Sequence, residues 1–137
     1  MNRLRLSLAI AFSVLTADLA SAQAQRNLCR FPGIRFFDGT VAVRRILTTP
    51  NSVCAFNSHS GGALLGHQVT VPPKLGVFGR ANEAQSAYRV GAALGTDYFE
   101  YQVRWEWMGR VNSMTIRNYV RIVPPPQTPT RVVSRAF

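Results

Sequence analysis

The chain has 137 residues, and its 16 Lys or Arg against 6 Asp or Glu give a net charge of +10. That length allows one domain and little more. Two histidines and few carboxylates leave a thin inventory for acid–base or metal chemistry, and the two cysteines are ill spaced for a four-ligand structural zinc site.

The first residues have the layout of a secretory signal peptide. Met1-Asn-Arg-Leu-Arg5 is positive, and Leu6 to Ala20 is apolar apart from small polar residues and Asp18. Ala20-Ser21-Ala22 and Ala22-Gln23-Ala24 both carry the small-x-small pattern that a signal peptidase reads. The reading is a signal peptide over residues 1–24, cleaved before Gln25, with Gln23 as the alternative start. The apolar run falls short of the ~20 residues of a membrane span, so no transmembrane span is expected after cleavage. A retained N-terminal anchor is the rival reading. Export implies a periplasmic or secreted protein. Loss of Arg3, Arg5 and Asp18 leaves 14 basic and 5 acidic residues, a net charge of +9, and every basic residue but Lys74 is then an arginine. That balance favours a protein partner or an anionic envelope component, and export makes nucleic acid the least expected partner. Arginines scattered over a solvated face are the plainer alternative. An even cysteine count in an exported chain predicts a Cys29–Cys54 disulfide. Closing that loop contributes roughly 3–3.5 kcal/mol in the chain-entropy account.

In chain order, residues 25–39 read as an irregular N-terminal arm held through Cys29, with Pro32, Gly33 and Gly39. Val41, Val43, Ile46 and Leu47 predict a strand with a disturbance at Arg44-Arg45. Thr49-Pro50-Asn51 is a turn signal, and Ser52–Phe56 is a second strand. Asn57–Gly62 is a loop rich in turn residues. Leu64–Val71 is a strand ended by Pro72-Pro73. Leu75–Phe78 is a short strand broken by Gly79. Arg80–Ser86 has room for one helical turn, and Ala87–Val90 is another strand. No segment keeps helical apolar spacing over more than two turns. Short strands between turn signals predict an all-β sandwich or barrel over residues 40–123. The tail, residues 124–137, has four prolines in its first six residues and is expected to be disordered.

Alternation is sharpest between Phe99 and Trp107. Successive strand side chains point to opposite faces. Phe99, Tyr101, Val103, Trp105 and Trp107 therefore share one face, and Tyr98, Glu100, Gln102, Arg104 and Glu106 share the other. The next strand repeats the device: Met114, Ile116, Val120 and Ile122 against Thr115, Arg117, Tyr119 and Arg121. Asn118 interrupts the apolar set, either at a bulge or as a buried hydrogen-bonding group. Met108-Gly-Arg-Val111 reads as a four-residue hairpin loop. Trp105 is expected opposite Met114, so that facing residue numbers sum to 219.

Gly95-x-Asp97-x-Phe99-x-Tyr101 resembles the "G-x-D-x-F-x-Y" signature of bacterial Ig-like, cadherin-like sandwich domains. Pro73-Lys-Leu-Gly76-Val77 resembles their "P-x-H-G-x-V" segment, and Tyr88-Arg-Val-Gly91 their Tyr-containing strand. Leu75 stands in place of the family's His, Val90 in place of its Pro, and Leu94 where an aromatic-x pair is usual. The resemblance spans roughly residues 64–123, with a looser match over Val41–Phe56. It implies an Ig-like antiparallel Greek-key β-sandwich with an adhesive, structural or modular role and no shared active site. On physical grounds Gly95 supplies a positive φ, Asp97 caps backbone N–H groups, and Phe99 and Tyr101 fill the space between sheets.

No catalytic constellation emerges. Ser58-His59-Ser60 offers adjacency alone, His67 enters a strand, and Glu100 and Glu106 lie on a wet face with basic neighbours. No cofactor or metal site is expected. A typical strand has 5–6 residues, so the long run to Trp107 suggests a hairpin projecting past the core. It would present Arg104, Trp105, Trp107 and Arg110 as a candidate binding edge, since Trp and Arg are enriched at binding hot spots. Packing of both tryptophans under residues 25–39 or 57–62 is the competing possibility. The functional expectation is a non-catalytic binding or adhesion module of the cell envelope. The alternatives are a structural or accessory subunit docked on a protein partner and, less favoured, a small hydrolase or hydrolase inhibitor.

Overall fold

The computed structural model describes residues 28–59 and 61–126. The signal-peptide reading and most of the Pro-rich tail lie outside the described residues. Among the described residues the architecture is all-β, with eight strands in two sheets. They are β1 (Cys29–Arg30), β2 (Thr40–Thr48), β3 (Val53–Asn57), β4 (Ala63–Val71), β5 (Gly76–Arg80), β6 (Gln85–Val90), β7 (Gly95–Trp107) and β8 (Arg110–Ile122). The larger sheet has the order β1-β2-β8-β7-β4 and the smaller β3-β6-β5. Neighbours pair antiparallel except β2 and β8, which run parallel from Thr40↔Met114 to Thr48↔Ile122. No helix among the described residues is long and apolar enough to cross a membrane.

The core lies between the sheets, where the alternating inward residues meet. Phe99, Tyr101, Val103 and Ile116 of the larger sheet pack against Cys54, Phe56, Phe78 and Tyr88 of the smaller. Phe78 stands at the centre of the aromatic group, 4.7 Å from Phe99 and 4.5 Å from Tyr101 between ring centroids. Such offset aromatic pairs contribute beyond the area they bury. The Cys29–Cys54 disulfide ties the two sheets together across a Cα separation of 5.6 Å. Residues 31–36 then cover one end of the core, with Phe31, Ile34 and Phe36 packed against it.

Four details correct the expectations from sequence. β2 runs unbroken through Arg44-Arg45. Its apolar Val41, Val43 and Leu47 face outward, while Arg44, Ile46 and Thr48 face the core. Both inward polar side chains find partners, Thr48 Oγ1 donating to Leu28 O at 2.8 Å and Arg44 Nη1 to Asn118 Oδ1 at 3.1 Å, while Arg44 Nε is buried without one. β5 continues through Gly79 to Arg80 instead of breaking there. Residues 81–84 form no helical turn; they are the β5–β6 connection, where the Ala81 and Asn82 N–H groups both donate to Gln85 O. The β7–β8 hairpin closes through two residues, Met108 and Gly109, at φ 50° and 74°. Two successive positive φ values suit the tight turn that follows the strand twist. Facing numbers therefore sum to 217, not 219: Phe99 opposes Asn118, Val103 opposes Met114 and Trp105 opposes Asn112. The shift of two residues preserves which side chains share a face.

Candidate functional site

The Gly76, Tyr88, Gly95 and Asp97 set forms one structural knot. Gly95 has φ 134° at the start of β7. Two residues on, Asp97 turns its carboxylate inward. It accepts from the Tyr88 hydroxyl at 2.7 Å, from Lys74 N–H and Leu75 N–H at 2.9 Å each, and from its neighbour Tyr98 N–H at 2.9 Å. Burial disfavours the charged carboxylate, but these donors outweigh it and hold Asp97 below the ordinary carboxylate range. The same contact, with burial first, pushes the Tyr88 phenol well above its usual value. Gly76 is where the Tyr88 ring passes: a Cβ there would meet Tyr88 Cε2 at 2.6 Å. Asp97 thus fixes the loop before β5 onto the sheet through hydrogen bonds.

The hairpin residues separate. Trp105 is 4% exposed, points between the sheets and meets the Phe36 ring edge-on at 5.9 Å. This corrects the projecting edge in part. Residues 31–36 extend the core to cover the position, so Trp105 is unavailable to a ligand. Trp107 is 52% exposed and rests against the 57–62 loop, where a Cβ on Gly61 would fall 2.8 Å from its ring. With Met108 and Val111 it gives the tip an apolar surface, beside the exposed Arg104 and Arg110.

Neither histidine belongs to a metal-ligating group among the described residues. His59 Nε2 lies 2.9 Å from Gly62 O and closes its loop. His67 packs against both Phe78 and Tyr101, at 5.1 and 4.7 Å, with Ser86 Oγ 3.2 Å from its Nε2. Burial first, and Arg80 second, lower its pKa.

A second surface lies at the opposite end of the larger sheet, on its outer face. Parallel pairing sets Arg45 beside Tyr119 and Leu47 beside Arg121. The Arg45 guanidinium sits 5.6 Å over the Tyr119 ring, and Tyr119 packs against Tyr98 at 5.0 Å. With Arg30 from β1 these side chains line an open groove of about 560 Å³. Asp97 borders the groove, but its carboxylate is engaged inward. Glu100 stands farther along β7, where it accepts from Tyr98 Oη at 2.7 Å and pairs with Arg117 at 3.3 Å. The groove is therefore cationic and aromatic. The alternation of Arg117, Tyr119 and Arg121 was a signal in the sequence, but Arg45 and Arg30 join it only through strand order.

No protein-family model and no curated protein matches this chain.

Proposed function

We propose that the chain is a non-catalytic, exported Ig-like domain that binds an anionic component of the cell envelope through the outer groove. Among the described residues, three arginines, Arg30, Arg45 and Arg121, line the groove beside Tyr98 and Tyr119, and the bordering Asp97 carboxylate is taken up by the Tyr88 hydroxyl and backbone N–H groups. That observation carries the reading. Arginine forks match phosphate and carboxylate groups, and the tyrosine faces add apolar contact for an attached ring or chain. The Ig-like assignment draws support from the strand order. β3-β6-β5 facing β2-β8-β7-β4, with first and last long strands parallel, fits a Greek-key order in which the first strand has joined the sheet of the last. The signal-like start supports export.

The test is co-sedimentation of the protein with vesicles containing phosphatidylglycerol, over a range of salt. Each basic residue near such a surface contributes about 1 kcal/mol, so the Arg45→Ala, Arg121→Ala double variant should bind roughly 30-fold more weakly. Binding should also fall with salt. Unchanged binding by the double variant would remove the groove from the function. A second reading rests on the exposed Trp107, Met108 and Val111: the hairpin tip docks on a protein partner. Pull-down that persists at high salt and fails with Trp107→Ala would favour it.

A further inference from the structure

The smaller sheet ends at β5, which has a strand on one side alone. Along an antiparallel strand, alternate residues aim N–H and C=O at a given neighbour. Two bonds fix the phase in β5. Gly91 N–H donates to Leu75 O at 2.9 Å just before the strand, and Ala81 N–H to Gln85 O at 2.9 Å just after it. Val77 and Gly79 therefore bond to their partners Arg89 and Ala87 of β6. Val90 agrees with this phase, since its N–H turns away from β5 to Ser52 O at 2.9 Å. Gly76, Phe78 and Arg80 are left with N–H and C=O aimed out of the sheet edge. No other backbone bond reaches them among the described residues. Buried backbone groups without partners are rare, so this row faces water or an added strand.

Folded proteins guard open edges by shortening, bulging or covering them, or with charge. Three of the four edge strands use the first three devices. β1 has two residues. β4 slips register between Leu64 and Gly66 and again between Val69 and Val71. β3 has the 31–36 segment against it, where Phe31 meets Phe56 at 4.8 Å. β5 keeps its register with β6 unbroken over five residues and carries charge alone, at Arg80. On the outer face beside this edge, Arg80 and Arg89 line a groove of about 370 Å³ with Val77, Gly79 and Ala87. Both arginines are exposed, and so is Val77, at 70%. Neither arginine is ion-paired among the described residues, where the pair is Arg117 with Glu100. Glu83 shares a pocket with Arg80 but forms no ion pair with it.

We propose that β5 is a docking edge, and that an extended acidic segment of a partner protein adds to it as a fourth strand of the smaller sheet. The backbone of the segment bonds Gly76, Phe78 and Arg80, and its acidic side chains lie on the outer face toward Arg80 and Arg89. Backbone pairing gives such a strand its affinity and side chains give it specificity. Charge selects the occupant. A second copy of this chain would bring the same arginines to the joint, whereas an acidic strand neutralises them. The surface belongs to the other sheet from the outer groove and does not depend on it.

The test is solvent exchange of the backbone amides of the disulfide-bonded protein, followed by ¹H–¹⁵N spectra. The probes are acetyl-Glu-Val-Glu-Val-Glu-amide and acetyl-Lys-Val-Lys-Val-Lys-amide. The acidic peptide should bind saturably and slow exchange at Gly76, Phe78 and Arg80. Val77 and Gly79, already bonded to β6, should change little. The Arg80→Glu, Arg89→Glu double variant alters two exposed side chains, and its spectrum reports that the fold is kept. It should bind the acidic peptide roughly tenfold more weakly or worse, and should take up the lysine peptide instead. No saturable binding of the acidic peptide overturns the proposal, as does binding that leaves Gly76, Phe78 and Arg80 unprotected. Equal binding of the lysine peptide to the unaltered protein overturns the acidic partner. So does slowing of the same three amides by raised protein concentration without peptide, which would assign the edge to a second copy.

Discussion

Tyr88 and Asp97 join the two sheets at a single point: the Tyr88 hydroxyl of β6 donates to Asp97 Oδ2 of β7 at 2.7 Å. The same carboxylate holds two backbone N–H groups of the loop before β5. With the Tyr98 N–H, Asp97→Ala would leave four donors without their acceptor. Hydrogen bonds to charged groups contribute ~1.5–3 kcal/mol each, and orphaned buried donors cost more than their net value. Asp97→Ala should therefore destabilise the domain by about 3 kcal/mol or more. Tyr88→Phe removes one donor and keeps the ring, and should cost about 1.5–2 kcal/mol. Urea unfolding of both variants checks the order; a Tyr88→Phe loss equal to that of Asp97→Ala would mean the loop contacts contribute nothing.

Acid should weaken the fold in two stages. Asp97 has a folded pKa below its unfolded value, so its contribution is present above about pH 4 and is lost as pH falls through the depressed folded value. His67 is also depressed, by burial and then Arg80. The unfolded chain takes up its proton first on acidification, so His67 withdraws stability as pH falls below about 6.5. Tm measured from pH 8 to pH 3 should show both declines. His67→Gln should flatten the upper one and leave the lower in place.

The tryptophans provide a direct contrast within one strand. Trp105→Ala should cost about 3–5 kcal/mol, as a large core deletion does, comparable to Phe99→Ala. Trp107→Ala should cost under about 1 kcal/mol, since half of its surface is already in water. Denaturant midpoints of the three variants decide this. A Trp107 loss as large as that of Phe99 would put the hairpin tip in the core and end the docking reading.

Much of the larger sheet was legible because its strands have one wet side. In β7 and β8 the inward and outward sets differ in polarity, so strand limits and faces follow from alternation alone. Register did not follow, because Met108-Gly109 is not one of the usual tight-turn dipeptides and two residues of slip leave every face unchanged. β2 failed for the opposite reason. Its outward residues are Val41, Val43 and Leu47 and its inward ones include Arg44 and Thr48, so the polarity rule inverts. Only the partners of Arg44, which lie 57 and 74 residues away, make that phase affordable. Asn118 and Arg44 are mutually explanatory, and neither is interpretable by itself. The outer groove was hidden likewise, since it depends on β2 lying parallel beside β8.

The disulfide has a mechanical meaning if the domain is held by its two ends. Tension arriving from the N-terminal side reaches Cys29 and crosses directly to Cys54. It enters the fold at β3 and bypasses β2 entirely, so the parallel β2–β8 zipper is spared the load. Reduction would reroute the pull through β2, whose parallel bonds to β8 would then be sheared together. It would also release the chain segment of 25 residue steps that the bridge hides. At up to 3.3–3.6 Å per residue that is roughly 80 Å of added length. Single-molecule stretching with and without reductant reads that increment directly; equal contour lengths under both conditions would mean that the bridge does not carry the load.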